Sequence, residues 1–231
     1  MLSLVSRSLK DLFDKKLLLL SFLPVFVSAV FLGIVFFVFS DGIHQFFVWA
    51  VGHIPFLGGE LVTIITQSIA ELVIFYELLL IMSILFVGLI ADAVVDRING
   101  KYYYLEKRGF GTFLGSMLKA IRSNILFIML FLILIPFLFI PFLNIAVHIF
   151  LWAILIRSPM LYDSLAFYAR KKEFEEIKRS NRLQTWLLSL VAASLFLIPL
   201  FGVFLYLLQL IMFTHFSLSK LKEIQDTEPK G

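Results

Sequence analysis

The chain has 231 residues, 61% of them hydrophobic and 16% charged, with a mean hydropathy of +0.98. A water-soluble domain carries about a quarter of its residues charged, so lipid has to cover much of this one. The net charge of +4 arrives with no nucleic-acid recognition motif and reads as contact with anionic headgroups, so no nucleic-acid partner is predicted. The absence of cysteine excludes disulfides, thiolate metal sites and cysteine catalysis.

Residues 1–16 set Leu2, Val5, Leu9, Leu12 and Phe13 at helical spacing, with Arg7, Lys10, Asp11 and Asp14 at other positions. That is the pattern of an amphipathic helix lying on a membrane. The uncharged run 17–40 follows. Its 24 residues exceed the roughly 7–15 of a signal-peptide core and span about 36 Å. It is predicted to be a retained transmembrane helix, kinked in its first third by Pro24.

Residues 41–60 read as a loop with two acids and no base, and 61–105 as a second long transmembrane helix. Its apolar part, 61–91, is interrupted only by Glu71 and Glu77. The polar segment 92–122 holds six basic and three acidic residues, an Asn99-Gly100 break, and a cluster of Gly109, Gly111 and Gly115.

The uncharged stretch 123–156 has 34 residues. One crossing needs about 20 residues and two need about 40 plus a turn, so this length fits neither. Pro136 and Pro141 fall in its middle with Asn144 behind them. The economical solution is a hairpin of two short helices entering and leaving by one face, within a unit 114–178 that includes a cytoplasmic extension. Residues 183–219, 37 in number and uncharged, repeat the design around Pro199 and Gly202. Three turns share one pattern: Ile54-Pro55-Phe56-Leu57-Gly58, Ile140-Pro141-Phe142-Leu143-Asn144 and Ile198-Pro199-Leu200-Phe201-Gly202. Each ends on a residue that tolerates left-handed backbone.

All twenty bases lie in four places: four before residue 17, six in 92–122, seven in 157–182 and three after 219. The positive-inside rule puts these segments, and both termini, in the cytoplasm and 41–60 outside. The prediction is an all-α integral membrane protein forming a single membrane domain of seven or eight helices. It has two long transmembrane helices, two proline-broken hemi-penetrating hairpins and an N-terminal amphipathic helix.

This arrangement resembles the CysZ family of bacterial sulfate permeases, which shares a domain with eukaryotic etoposide-induced membrane proteins. The resemblance runs from about residue 9 to residue 216. It is strongest from Ile90-Ala91 through Ile98-Asn99-Gly100, from Trp152-Ala153-Ile154 to Tyr162-Asp163, and in the Ile-Pro breaks of both hairpins. It implies a homo-oligomer in the bacterial inner membrane that takes up sulfate for cysteine synthesis. Family members carry a Gly-Leu-Arg or similar motif just before the first long helix, implicated in sulfate binding. Here that place reads Asp14-Lys15-Lys16-Leu17, without the guanidinium fork.

Lys15 and Lys16 sit at a helix entrance, where backbone N–H groups and the helix dipole also favour an anion. They read either as a first capture site for the oxyanion or as anchors on lipid phosphate. Counting about 20 residues back from Asp92 puts Glu77 inside the hydrocarbon layer and Glu71 near its outer edge. Glu77 either carries a proton with the anion or makes a structural hydrogen bond, and Arg97 and Arg157 are the nearest plausible cationic partners. Arg157, beside Ser158 and Pro159, ends an apolar helix and faces a vestibule or snorkels to the interface.

His44, His53, His148 and His215 show no partner at ligand spacing, so no cofactor and no metal is predicted. No phosphate loop, nucleophile elbow or HExxH points to an enzyme. The function predicted is a permease or channel for sulfate or a related oxyanion; the alternative is a structural, membrane-organising protein with the same fold.

Overall fold

The structure is a computed structural model that describes residues 2–52, 60–138, 140–197 and 202–227. Among these residues every regular element is a helix. The elements are α1 (Leu2–Leu12), α2 (Lys15–Val38), α3 (Ser40–Gly52), α4 (Glu60–Phe86), α5 (Gly88–Tyr102), α6 (Phe113–Leu138), α7 (Leu143–Leu165), α8 (Lys171–Ser180), α9 (Arg182–Ser194) and α10 (Gly202–Thr227). A 3₁₀ turn, Leu195–Leu197, follows α9.

The apolar side chains are arranged for two solvents. On α7 and α10, Leu151, Leu155, Ile156, Leu207, Leu210 and Phe213 are fully buried. On α2 and α6 the apolar surface points outward: Phe26 is 67% exposed, Phe37 84% and Ile133 64%. A contiguous apolar surface of this extent marks a lipid-facing wall. Helices α2, α6 and α7 are long and apolar enough to cross a membrane, and the pair formed by α4 and α5 makes a fourth if counted as one bent span.

Three expectations are modified. The segment 41–60 is not a loop throughout, because α3 occupies its first part. The helix expected over 61–105 is two helices, bent by 58° between Glu71–Phe86 and Gly88–Tyr102. Gly88 sits at this bend, where an added Cβ would lie 2.5 Å from the Ser116 hydroxyl, so α6 approaches the bend only because Gly88 has no side chain. The Asn99-Gly100 pair breaks nothing: α5 runs on to Tyr102. Asn99 instead clamps the loop that follows, with its Nδ2 donating to the Leu105 carbonyl (2.9 Å) and its Oδ1 accepting from the Leu105 N–H (2.9 Å).

The first hairpin has arms of 26 and 23 residues, longer than its apolar stretch, because both run on into the flanking polar segments. α6 and α7 pack along one another. Phe127 meets Trp152 at 5.4 Å between ring centroids, and Trp152 meets Phe196 at 4.6 Å. At the tip, Phe142 and not Asn144 takes the left-handed backbone, with φ 66°. Asn144 is instead a helical residue whose Nδ2 donates to the Leu138 carbonyl (2.6 Å), satisfying a group that the end of α6 leaves open. The Ile-Pro pattern at 54–58 lies outside the described residues, and so does all of the one at 198–202 except Gly202.

The loop 103–112 is stitched to the far end of α7. The Gly109 N–H donates to the Phe167 carbonyl (3.1 Å) and the Gly111 N–H to the Ala166 carbonyl (2.8 Å). An added Cβ at Gly109 would lie 2.1 Å from the Ala166 oxygen, a backbone atom that cannot rotate away. Gly109→Ala should therefore lower the thermal midpoint of the purified protein by several degrees. Gly100→Ala, in the last turn of α5 with nothing within 4 Å of the new methyl, should raise stability by up to about 0.5 kcal/mol. A thermal scan of both variants in detergent checks the pair.

Candidate anion site

Closing the first hairpin brings its two feet together. Lys119, Arg122 and Ser123 on α6 then face Arg157 and Ser158 on α7, and α8 adds Lys178; the six line a cavity of about 420 Å³. Leu126, Phe150, Ile154, Leu161, Phe174 and Trp186 complete its wall. Four cations and no carboxylate line it.

Arg157 is the most constrained of the four. Its guanidinium lies over the Trp186 ring, 4.4 Å from the centroid, a contact worth about 0.5–2 kcal/mol. Its Nε is buried and makes no hydrogen bond among the described residues. A buried charged donor left unpaired costs about 1–3 kcal/mol or more. Among the described residues no carboxylate pairs with Lys119, Arg122 or Arg157, whereas Lys178 holds Glu175 at 3.1 Å. Arg157 lies well inside α7, not at the end of a helix, because α7 continues through Pro159 to Leu165.

The N-terminal candidates occupy a different environment. Lys15 and Lys16 are exposed. The helix end they flank already has an anion, since Asp14 caps α2 by accepting from the Lys16 N–H (3.0 Å). Arg97 is spent on the same carboxylate, through Nε (2.9 Å) and an Nη (2.8 Å). A second cavity, of about 390 Å³, is lined by Asp14, Asp96, Arg97, Gly100 and Lys101, so its charges balance. The contrast between the two cavities decides which one suits an anion.

One turn upstream, Asp11 is 2% exposed and forms a hub. Its Oδ1 accepts from Lys101 Nζ (2.5 Å) and the Tyr102 hydroxyl (2.9 Å), and its Oδ2 lies 2.8 Å from His215 Nε2. His215 Nδ1 lies 3.0 Å from the Tyr103 hydroxyl. His215 is thus held between a carboxylate and a tyrosine hydroxyl. The first helix is tied through one carboxylate to α5 and α10.

On α4, Glu71 lies 3.6 Å from His44, beside a cavity that Ser40 and Asp41 also line. Glu77 is half-buried and makes no ion pair among the described residues, neither with Arg97 nor with Arg157. The structure thus brings Arg157 together with cations not singled out from sequence, Lys119, Arg122 and Lys178, and leaves Glu71, Glu77, Lys15 and Lys16 elsewhere. No three histidine or acidic side chains cluster as metal ligands among the described residues.

The fold and these sites define a multi-pass, all-helical membrane protein with a cation-lined cavity at the foot of a helical hairpin. It belongs to the family described as sulfate transporter CysZ/etoposide-induced protein 2.4, which matches residues 4–206. No curated protein matches the chain.

The Asp11 hub carries a pH signature. Burial pushes its carboxyl upward, but hydrogen bonds from Lys101, His215 and Tyr102 outweigh this and hold it below its ordinary value. At Asp14 the hydrogen bond from Arg97 does the same. A depressed carboxylate stabilises the fold above its unfolded-state value, and that contribution is lost as pH falls through the folded-state value. Wild-type stability should therefore decline below about pH 4. Asp11→Asn should be less stable by about 1.5–3 kcal/mol at neutral pH and decline less over the acid range. Thermal unfolding of both proteins between pH 3 and 7 checks this.

Proposed function

We propose that the protein is a permease or channel of the inner membrane for sulfate or a related oxyanion, supplying sulfur assimilation. Family membership supports a transporter. The observation that carries the oxyanion reading is the Arg157 guanidinium, without a carboxylate partner among the described residues, in a cavity whose charged lining residues are all cations. A fixed positive charge without a resident carboxylate is what a dehydrating anion needs on its path, and the Arg fork matches a tetrahedral oxyanion better than an ammonium does.

In this reading both termini and the feet of the hairpins face the cytoplasm, following the bases, and the protein works as a homo-oligomer in contact with anionic lipid. Lys15 and Lys16 form part of the diffuse basic field that concentrates anions at that face. Glu77, the acid within the apolar span of α4, exchanges a proton as an anion moves, and Glu71 and Arg97 line flanking cavities. The non-transporting alternative has no use for an unpaired Arg157.

Uptake of radiolabelled sulfate into proteoliposomes tests the reading. Arg157→Gln should lower uptake at least about tenfold, the weight of one charged hydrogen bond, while the protein still purifies as a folded species. Replacing Lys15 and Lys16 together with glutamine should cost about twofold at low salt and nothing at high salt, where surface fields are screened. Unchanged uptake by Arg157→Gln would remove the cavity from the path.

A further inference from the structure

We infer that the cavity between α6, α7, α8 and α9 takes an oxyanion bearing a short apolar group, an organosulfonate or alkyl sulfate, in preference to a bare inorganic ion. The inference rests on the reading of this cavity as the anion site and adds the chemical class of its ligand.

Size is the first argument. A bare tetrahedral oxyanion displaces only a few waters, each with a share of roughly 30 Å³. The cavity measures about 420 Å³, within the roughly 300–1,000 Å³ of sites that enclose organic ligands. A lone sulfate in it would touch the cations on one side and water on the other.

Polarity is the second argument. On α6, Lys119 and Arg122 lie nearer the foot and Leu126 nearer the tip. On α7, Arg157 lies nearer the foot, with Ile154 and Phe150 at successive turns toward the tip. Toward the tip both arms thus change from charge to hydrocarbon, while Leu161 and Phe174 add apolar wall on the foot side of Arg157. From Arg157 to Phe150 is seven residues, about 10 Å of helix. A ligand whose head sits on Arg157 therefore places its tail along Leu126, Ile154 and Phe150.

Closure is the third argument. The Phe150 ring stacks on Trp186 at 6.2 Å with an interplanar angle of 3°, and the Arg157 guanidinium lies 4.4 Å from the centroid of the same ring. The tryptophan spans head and tail regions, and its stack with Phe150 ends the apolar stripe. A tail of a few carbons on a head at Arg157 would run along this stripe.

Calorimetric titration of the full chain in phosphatidylcholine nanodiscs, with methane-, butane- and hexanesulfonate and with sodium sulfate, tests the inference. Each methylene fully removed from water is worth about fourfold in affinity. Because Leu126 and Phe150 are partly exposed, butanesulfonate should bind about tenfold more tightly than methanesulfonate. Leu126→Gln, at an exposed position, should erase that gain, so that butane- and methanesulfonate bind alike. Equal affinity along the series with sulfate still bound overturns the inference and leaves the oxyanion reading standing. If neither sulfate nor any sulfonate binds, the oxyanion reading fails as well. A gain that persists in Leu126→Gln is partition into the disc, and loss of sulfonate binding when phosphatidylglycerol is added makes the site a lipid site. Either result overturns the inference.

Discussion

A helical hairpin has to hold its two arms together, and that constraint organises this protein. In hydrocarbon there is no hydrophobic force between helices, so the arms of α6 and α7 rely on close packing. They supply it with Phe127 against Trp152 and with Trp152 against Phe196 in the neighbouring turn. Once the arms are closed, whatever flanks them in sequence is forced together in space. Arg122 ends one flank and Arg157 begins the other. Their like charges face a common cavity because the packing above them is strong enough to hold them there.

The second organising element is the polar junction at the opposite side of the bundle. A buried carboxylate is costly unless charge and hydrogen bonds surround it, and Asp11 is surrounded by Lys101, Tyr102 and His215. The tyrosine hydroxyl of Tyr206, bonded to the Ser21 carbonyl, ties α10 to α2 nearby. The two regions differ in what they leave open. At the junction every charge has its counterpart. In the cavity Arg157 does not. The first arrangement serves the fold, and the second is the kind that a ligand completes.

Much of the architecture was legible from charge and length. The uncharged runs 17–40 and 123–156 and the four basic segments are enough to place the helices, because lipid admits few alternatives. The bend at Val87-Gly88 was not, since a single glycine in an apolar run carries no mark of the Ser116 hydroxyl that needs its space. Asn99 and Asn144 look like helix breakers in sequence, yet both act through side-chain amides on neighbouring carbonyls. The cavity was half legible. Arg122 and Arg157 bracket the uncharged stretch, and a hairpin that closes must bring its brackets together. Lys178 and Trp186 come from α8 and α9, whose folding back over α7 has no local signal. The bond between Asp11 and His215, 204 residues apart, has none either.

That last bond has a consequence for how the protein is made. Helix α1 finds a buried partner on α10, which the ribosome makes much later. At roughly 5–20 residues per second, the interval for 204 residues is on the order of ten to forty seconds. Lys101 and Tyr102, made about halfway through it, can already hold the Asp11 carboxylate. His215 then adds α10 to a junction that α1 and α5 have begun, so the polar contact grows in the order in which its partners are made.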